Sequence, residues 1–348
     1  MLRSLPGQLK VLVCDYPRML EDLLRCIRSR WPVEKTKLCL EPVPIAHDGD
    51  LDRSLDLPQE AREDVQVLLC YPKAIPVLAP QLPNLQWVHS SWAGVDSLFC
   101  PRPVFDTPPS WQLTRSGGHM GPLIAEYVIG QIIVWERRFF QLKDYQSRAF
   151  WVRPSSDDAS LRYRQLSSLR VGVLGIGDIG SEVARVCKAF AMEVWAFGGS
   201  ERSELPSNVD HYRAGPTGLK ELLSSVDFVC STLPATESTN GLLGGETLKS
   251  CSTRKAVFIN VGRGNVVSDG EIVRALEEQW IGGAILDVFE KEPLEAHSGL
   301  WSRADVVLTP HVSALSQPEA VANTFLENLR RALEGRQLLY PVDWRRQY

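Results

Sequence analysis

Short apolar runs alternate along this chain with stretches whose apolar positions recur every three or four residues. That is the pattern of strands interleaved with amphipathic helices in a parallel sheet. In the first third the strand-like runs are 10–14, 65–70 and 87–89, with a helical stretch over 19–31 between the first two. A proline-rich span, 101–109, breaks the alternation. The pattern then predicts one long helix over 120–150, opening after Gly117 and Gly118 and ending in a polar loop at 153–160. A dense series follows, with strand-like runs at 170–174, 193–197, 228–230, 256–261, 283–289 and 306–309. Helical patterns such as 179–190 and 269–278 fill the gaps. The last helix, predicted over 318–335, repeats Val321, Phe325, Leu329 and Leu333 at helical spacing. No internal repeat or low-complexity block is visible.

Composition narrows the class. With 348 residues, 44% hydrophobic and 23% charged, the chain suits two globular domains. The net charge of −4 is spread along the chain, which argues against nucleic acid as a partner, since phosphate backbones call for a concentrated basic surface. The longest apolar run, 127–135, falls short of the roughly 18 residues a membrane helix needs, and residues 1–10 carry no secretory h-region. Eight cysteines without a CxxC pair, among them Cys39 and Cys70 inside apolar runs, fit reduced thiols of a cytoplasmic protein. No metal is expected, because neither HExxH nor a His/Cys cluster at ligand spacing occurs.

The first chemical signal is Gly175-Ile176-Gly177-Asp178-Ile179-Gly180, a GxGxxG directly after one strand-like run and directly before a helical one. In that setting Gly175 permits the tight turn, Gly177 lets the backbone approach a pyrophosphate, and Gly180 lets helix pack on strand. The helix start then offers unpaired N–H groups to the phosphates. The next strand-like run ends in Gly198-Gly199-Ser200-Glu201-Arg202, with no acid at 198 to hold a ribose diol and repel a 2′-phosphate. Ser200 and Arg202 are therefore read as 2′-phosphate ligands and NADP(H) as the preferred cofactor. The alternative is NAD(H), with Arg202 a solvated cation and Glu201 on the ribose.

Three later runs end in reactive residues: Arg263 between Gly262 and Gly264, Glu292 before Pro293, and His311 after Pro310. All three lie where a parallel sheet gathers its ligands, at the carboxyl ends of strands. The phrases Asn260-Val261-Gly262-Arg263-Gly264, 286–294 and Thr309-Pro310-His311, with 227–234, Thr236 and Thr239, resemble the D-isomer-specific 2-hydroxyacid dehydrogenase family over most of the chain, from 85 to 343. Within it, the look is closest to glyoxylate/hydroxypyruvate reductases.

The resemblance implies an oxidoreductase moving a hydride between NAD(P)H and a small 2-oxo acid/D-2-hydroxy acid pair. His311 would be the acid/base, Glu292 its partner, and Arg263 the cation on the substrate carboxylate. Leu233, Pro234, Thr239, Val261, Gly262, Asp287 and Ser313 would join Gly175, Gly177, Asp178, Ile179, Gly180 and Gly198 around the cofactor. The run Ser90-Ser91-Trp92-Ala93-Gly94-Val95-Asp96 resembles the family loop that binds the substrate carboxylate through backbone N–H groups, with Trp92 lining the pocket or packing inward. The implied fold is α/β: two doubly wound parallel-sheet domains, with a Rossmann-type cofactor domain (119–310) inserted into a smaller, discontinuous substrate domain (1–118 and 311–348). A homodimer through the cofactor domain, using the helix from Met120, is also implied. The other reading is a dinucleotide-binding transcriptional corepressor-like regulator of the same fold, which would require added peptide-binding surface. The remaining histidines, His47, His89, His119, His211 and His297, are assigned structural or surface roles.

Overall fold

The computed structural model describes residues 8–32, 37–45, 55, 57–100, 102–153 and 157–348. His47, residues 1–7, Pro101 and residues 154–156 of the polar loop lie outside the described residues. In chain order the elements begin β1 (Gln8–Asp15), α1 (Pro17–Arg30), β2 (Lys37–Pro44), α2 (Gln59–Arg62), β3 (Val65–Cys70), α3 (Ile75–Leu78), β4 (Trp87–Ser90) and β5 (Gln112–Arg115). Then come α4 (Met120–Glu136), α5 (Phe139–Ser147), β6 (Arg170–Leu174), α6 (Asp178–Ala189), β7 (Glu193–Gly198), β8 (His211–Ala214), α7 (Gly215–Ser225) and β9 (Phe228–Ser231). The chain continues with β10 (Val257–Asn260), α8 (Asp269–Glu277), β11 (Gly283–Leu286), β12 (Val306–Leu308) and α9 (Pro318–Leu333).

These form two compact units: Met1–His119 with Leu315–Tyr348, and Met120–Ala314. The first holds a five-stranded parallel sheet in the order β2-β1-β3-β4-β5. One face is closed by α1 and α9, whose Leu23, Ile27, Val321, Phe325 and Leu329 pack on Val11, Val13, Val67, Leu69 and Trp87. Both helices start with proline at N1, where the missing N–H costs nothing, and both bury an i, i+3, i+4 stripe. The Phe325 and Trp87 rings stack at 5.2 Å.

The second unit holds seven parallel strands in the order β12-β11-β10-β9-β6-β7-β8. Strand β6 opens the series, and the chain reverses direction across the sheet between β6 and β9. Ligands bind beyond the carboxyl ends of strands at such a switch point.

The long helix expected over 120–150 is two helices. Arg138 takes a left-handed conformation (φ 54°) between α4 and α5. Helix α4 is buried down to Glu136, which accepts from Arg164, and Arg137 lies 3.8 Å over the Tyr163 ring. Beyond that point α5 buries no side chain. Tertiary partners of residues 136 and 137, rather than a glycine or proline, thus coincide with the break. The second unit runs to Ala314, past the 310 boundary expected from the motifs, because Asp287 holds the amides of Val312 and Ser313. Among the described residues no helix is long and apolar enough to cross a membrane.

Candidate active site

At the switch point, Gly175 adopts φ +91°, a conformation L side chains rarely take. A Cβ on Gly180 would overlap the Gly175 carbonyl oxygen and stand 2.9 Å from Thr232 Oγ1, whereas one on Gly177 would meet open space. The loop is pinned from beneath by Thr232, whose hydroxyl donates to Gly175 O at 2.8 Å. Gly177 caps α6 without a side-chain acceptor, so the first-turn amides keep their donors. Exposed Asp178 and half-buried Ile179 begin that helix. Tight turn, open second glycine and closed third glycine fit a dinucleotide pyrophosphate.

Gly198 closes β7, and Ser200 and Arg202 follow it, both exposed. Leu233 and Val261 are buried and Pro234 half-buried. Thr239 turns inward: its hydroxyl bonds Pro234 O at 2.6 Å and accepts from the Thr236 amide at 2.9 Å, holding the loop after β9 in shape.

Three neighbouring strands bring the reactive groups together. After β10, Gly262 and Gly264 flank Arg263 because no side chain fits at either. A Cβ at 262 would lie 2.6 Å from Leu233 O, and one at 264 would overlap the Phe289 carbonyl. Buried Asn260 locks the turn, donating to Arg263 O at 3.0 Å and accepting from the Gly262 amide at 3.2 Å.

After β11, the Glu292 carboxylate accepts from the Phe289 amide at 3.0 Å and bonds His311 Nδ1 at 2.7 Å. The Glu292 hydrogen bond lifts the His311 imidazolium above the ordinary histidine range, against the opposing effects of partial burial and of the nearby Arg263 charge. Partial burial pushes the Glu292 carboxyl up, yet the bonds from His311 and Phe289 hold it below the usual carboxylate range.

After β12, His311 itself has a left-handed backbone (φ 53°), held by its amide donating to Asp287 O at 2.9 Å. Asp287 is fully buried. Its carboxylate accepts from Thr309 Oγ1 and from the amides of Val312 and Ser313, both at 2.9 Å. Tyr127 on α4 donates in turn to Thr309 at 2.7 Å, since the threonine hydrogen is already committed to Asp287. Asp287 thus serves as a strand-end cap that shapes the histidine loop, and Ser313 is buried beside it.

Sequence reasoning missed Asn260, Thr232 and Tyr127. The asparagine acts only through backbone groups of its own turn, and the tyrosine is 182 residues from its partner.

In the first unit, the 90–95 loop follows β4. Ser90 Oγ donates to Trp92 O at 2.9 Å, and Ser91 Oγ donates to the buried Asp15 at 2.6 Å. Burial raises the Asp15 carboxyl above its usual range, opposed by the bonds from Ser91 and the Tyr16 amide. Trp92 is 39% exposed and meets Tyr71 edge-on at 4.9 Å, so it does not pack inward as core. Ala93 and Gly94 are half-buried, while Val95 is buried.

The other described histidines have settings of their own. Burial drives His89 down to about 3, with Thr114 on its Nδ1 at 2.7 Å, and burial also lowers His119. His211 and His297 stand 3.3 and 3.0 Å from Glu193 and Glu295.

Residues 129–313 match the family model described as "D-isomer specific 2-hydroxyacid dehydrogenase, NAD binding domain". The chain is 31% identical over 264 residues to a glyoxylate reductase of Aeropyrum pernix, covering 74% of this chain and 76% of that one. Among solved structures it resembles a D-isomer specific 2-hydroxyacid dehydrogenase from Xanthobacter autotrophicus Py2 in complex with NADPH and MES. That match has a TM-score of 0.80 at 29% identity, covering 97% of this chain and 99% of the other. It also resembles an NADPH-dependent glyoxylate/hydroxypyruvate reductase from Sinorhizobium meliloti in complex with NADP and sulfate. There the TM-score is 0.79 at 25% identity, covering 98% and 100%.

Proposed function

The chain belongs to the D-isomer specific 2-hydroxyacid dehydrogenase family and is an NAD(P)-dependent oxidoreductase, and from this premise we propose that it reduces glyoxylate, hydroxypyruvate or a similarly small 2-oxo acid, with NADPH preferred over NADH. The observation that carries the reading is the 2.7 Å bond between His311 Nδ1 and Glu292, on the same sheet edge as Arg263. The relatives named for glyoxylate and hydroxypyruvate support the substrate class, and the two similar structures solved with NADPH or NADP support the cofactor. Met120–Ala314 is the proposed cofactor domain, and Met1–His119 with Leu315–Tyr348 the proposed substrate domain.

The glycine turn, the α6 amides and the loops after β7, β9 and β10 would hold the dinucleotide, which when bound supplies the hydride. The protein's own part is electrostatic. Negative charge builds on the carbonyl oxygen during reduction, so a fixed cation and a proton donor both lower the barrier. Glu292 occupies Nδ1 of His311, leaving Nε2 as the atom that delivers the proton. Arg263 holds the substrate carboxylate. Asp287, Thr309 and Tyr127 position His311 without touching substrate.

A panel of 2-oxo acids assayed with NADPH and NADH tests the reading. The highest kcat/KM is expected for a two- or three-carbon acid with NADPH. No turnover of any 2-oxo acid, or a clear NADH preference, would count against it.

The pH dependence follows from the raised His311. Reduction requires the imidazolium, so its kcat/KM is full at low pH and is lost as pH rises through the elevated His311 value. Oxidation requires the neutral ring and behaves in the opposite sense. Glu292→Gln removes the negative charge that helps lift the imidazolium, leaving only a weaker amide acceptor, so the falling limb of the reductive profile shifts to lower pH. An unshifted limb in Glu292→Gln removes Glu292 from this role.

The dimer is part of the proposal too. Phe139, Phe140, Leu142, Phe150 and Trp151 are exposed around α5, with Trp151 87% accessible, and this apolar surface supports an interface there. Sedimentation at micromolar concentration should give a dimer, and Phe140→Asp with Trp151→Asp a monomer. A monomeric wild type would sink the assignment. The cytoplasm is the compartment we assign, on the eight free cysteines.

A further inference from the structure

Gly198 ends β7, where an acidic side chain would hold the ribose of NAD, and the structure shows what stands in that place instead. Strand β8 pairs beside β7 with Tyr212 opposite Ala196, and the Tyr212 side chain runs along the sheet to Gly198. A Cβ at 198 would overlap the Tyr212 hydroxyl and lie 3.1 Å from Cζ. That hydroxyl donates to Ser200 O at 2.8 Å, tying down the turn after β7. The Arg202 guanidinium rests over the same ring, 5.4 Å from its centre. One phenol therefore fills the acid's volume, fixes the Ser200 turn and supports the arginine.

We propose that Tyr212 sets the dinucleotide selectivity of this site, excluding an acid at 198 and presenting Arg202 to the 2′-phosphate of NADPH. The assignment rests on the NADPH reading above and adds to it a residue on a neighbouring strand. Alone, Arg202 is a long exposed side chain with many rotamers, and holding it against a ring reduces what binding must order. The phenol can yield to a side chain at 198 only by swinging out, which breaks the bond to Ser200 and withdraws the ring from Arg202. Gly198 and Tyr212 are coupled, and Gly198→Asp alone does not make an NAD enzyme.

The test is equilibrium binding of NADPH and NADH, followed by nucleotide fluorescence, with thermal unfolding as the check on folding. Wild type should bind NADPH at least about tenfold more tightly than NADH, the scale of one charge-assisted contact. Tyr212→Ala should bring the two Kd values to within about threefold by weakening NADPH, with NADH little changed. Tyr212→Phe keeps the ring under Arg202 and loses only the bond to Ser200, so its discrimination should fall between the two. Gly198→Asp should weaken both nucleotides. Gly198→Asp with Tyr212→Ala should bind NADH at least as tightly as wild type and NADPH poorly, a non-additive reversal.

A wild type without NADPH preference sinks the selectivity reading itself, and this assignment with it. A wild-type preference that survives both Tyr212→Phe and Tyr212→Ala sinks the assignment alone. So does a Gly198→Asp variant that binds NADH as the double variant is expected to while Tyr212 is intact. If Tyr212→Ala does not fold, the Tyr212→Phe and Gly198→Asp outcomes still decide.

Discussion

Replacing His311 by alanine is expected to lower kcat for 2-oxo acid reduction by about a hundred- to ten-thousand-fold, the contribution of a positioned general acid. Dinucleotide affinity should stay within a few-fold, because the glycine turn and the α6 amides are untouched. The backbone at 311 is left-handed, which alanine tolerates poorly and asparagine well. His311→Asn therefore removes the acid while keeping the turn, and it should match alanine in rate while unfolding closer to wild type. Stopped-flow measurement of the hydride step under saturating substrate reads the effect directly. Near-normal kcat in either variant would end the acid/base assignment.

The second large effect is expected at Arg263. Arg263→Ala should raise KM for the 2-oxo acid about ten- to a hundred-fold, as one charge-assisted contact to a carboxylate is lost. It should also lower kcat by about a hundredfold if, as proposed, the same cation stabilises the developing oxyanion. The turn around it should survive, because Asn260 holds the backbone oxygen of residue 263 rather than its side chain. Arg263→Lys keeps the charge and loses the bidentate fork, so it should recover part of kcat and little of KM. Unchanged saturation and rate in Arg263→Ala would remove this residue from the substrate.

Much of this site was legible because its parts are local. The glycine turn, Arg263 between its two glycines and His311 after its proline each sit within a few residues of a strand end. A strand end in a parallel sheet has only one chemical address. The two helices where one was expected show the limit. Residues 136–140 contain no glycine or proline, and the left-handed Arg138 becomes intelligible only beside Arg164 and Tyr163, which arrive later in the chain. Strands β2 and β8 are edges: the first carries Pro42 and Pro44, and the second has four residues, half-buried throughout. The apolar run around Cys39 is legible, but prolines and a glutamate cut it short as a strand signal, and β8 has no such run. Tyr212 was hidden for a related reason. It is a neighbour of Gly198 only through strand pairing, and nothing at 198 announces a side chain from elsewhere filling its space.

The first unit is built from both ends of the described chain, and this bears on how the protein is made. One face of its sheet, with Val11, Val13, Val67 and Leu69, is closed by Val321, Phe325 and Leu329. During synthesis those strands emerge first and wait for α9, while every strand and helix of the inserted unit becomes available in one continuous stretch. The nascent chain therefore completes the inner unit before the outer one. Until residues 318–333 leave the ribosome, the part of that sheet face not covered by α1 is open to chaperones and to aggregation.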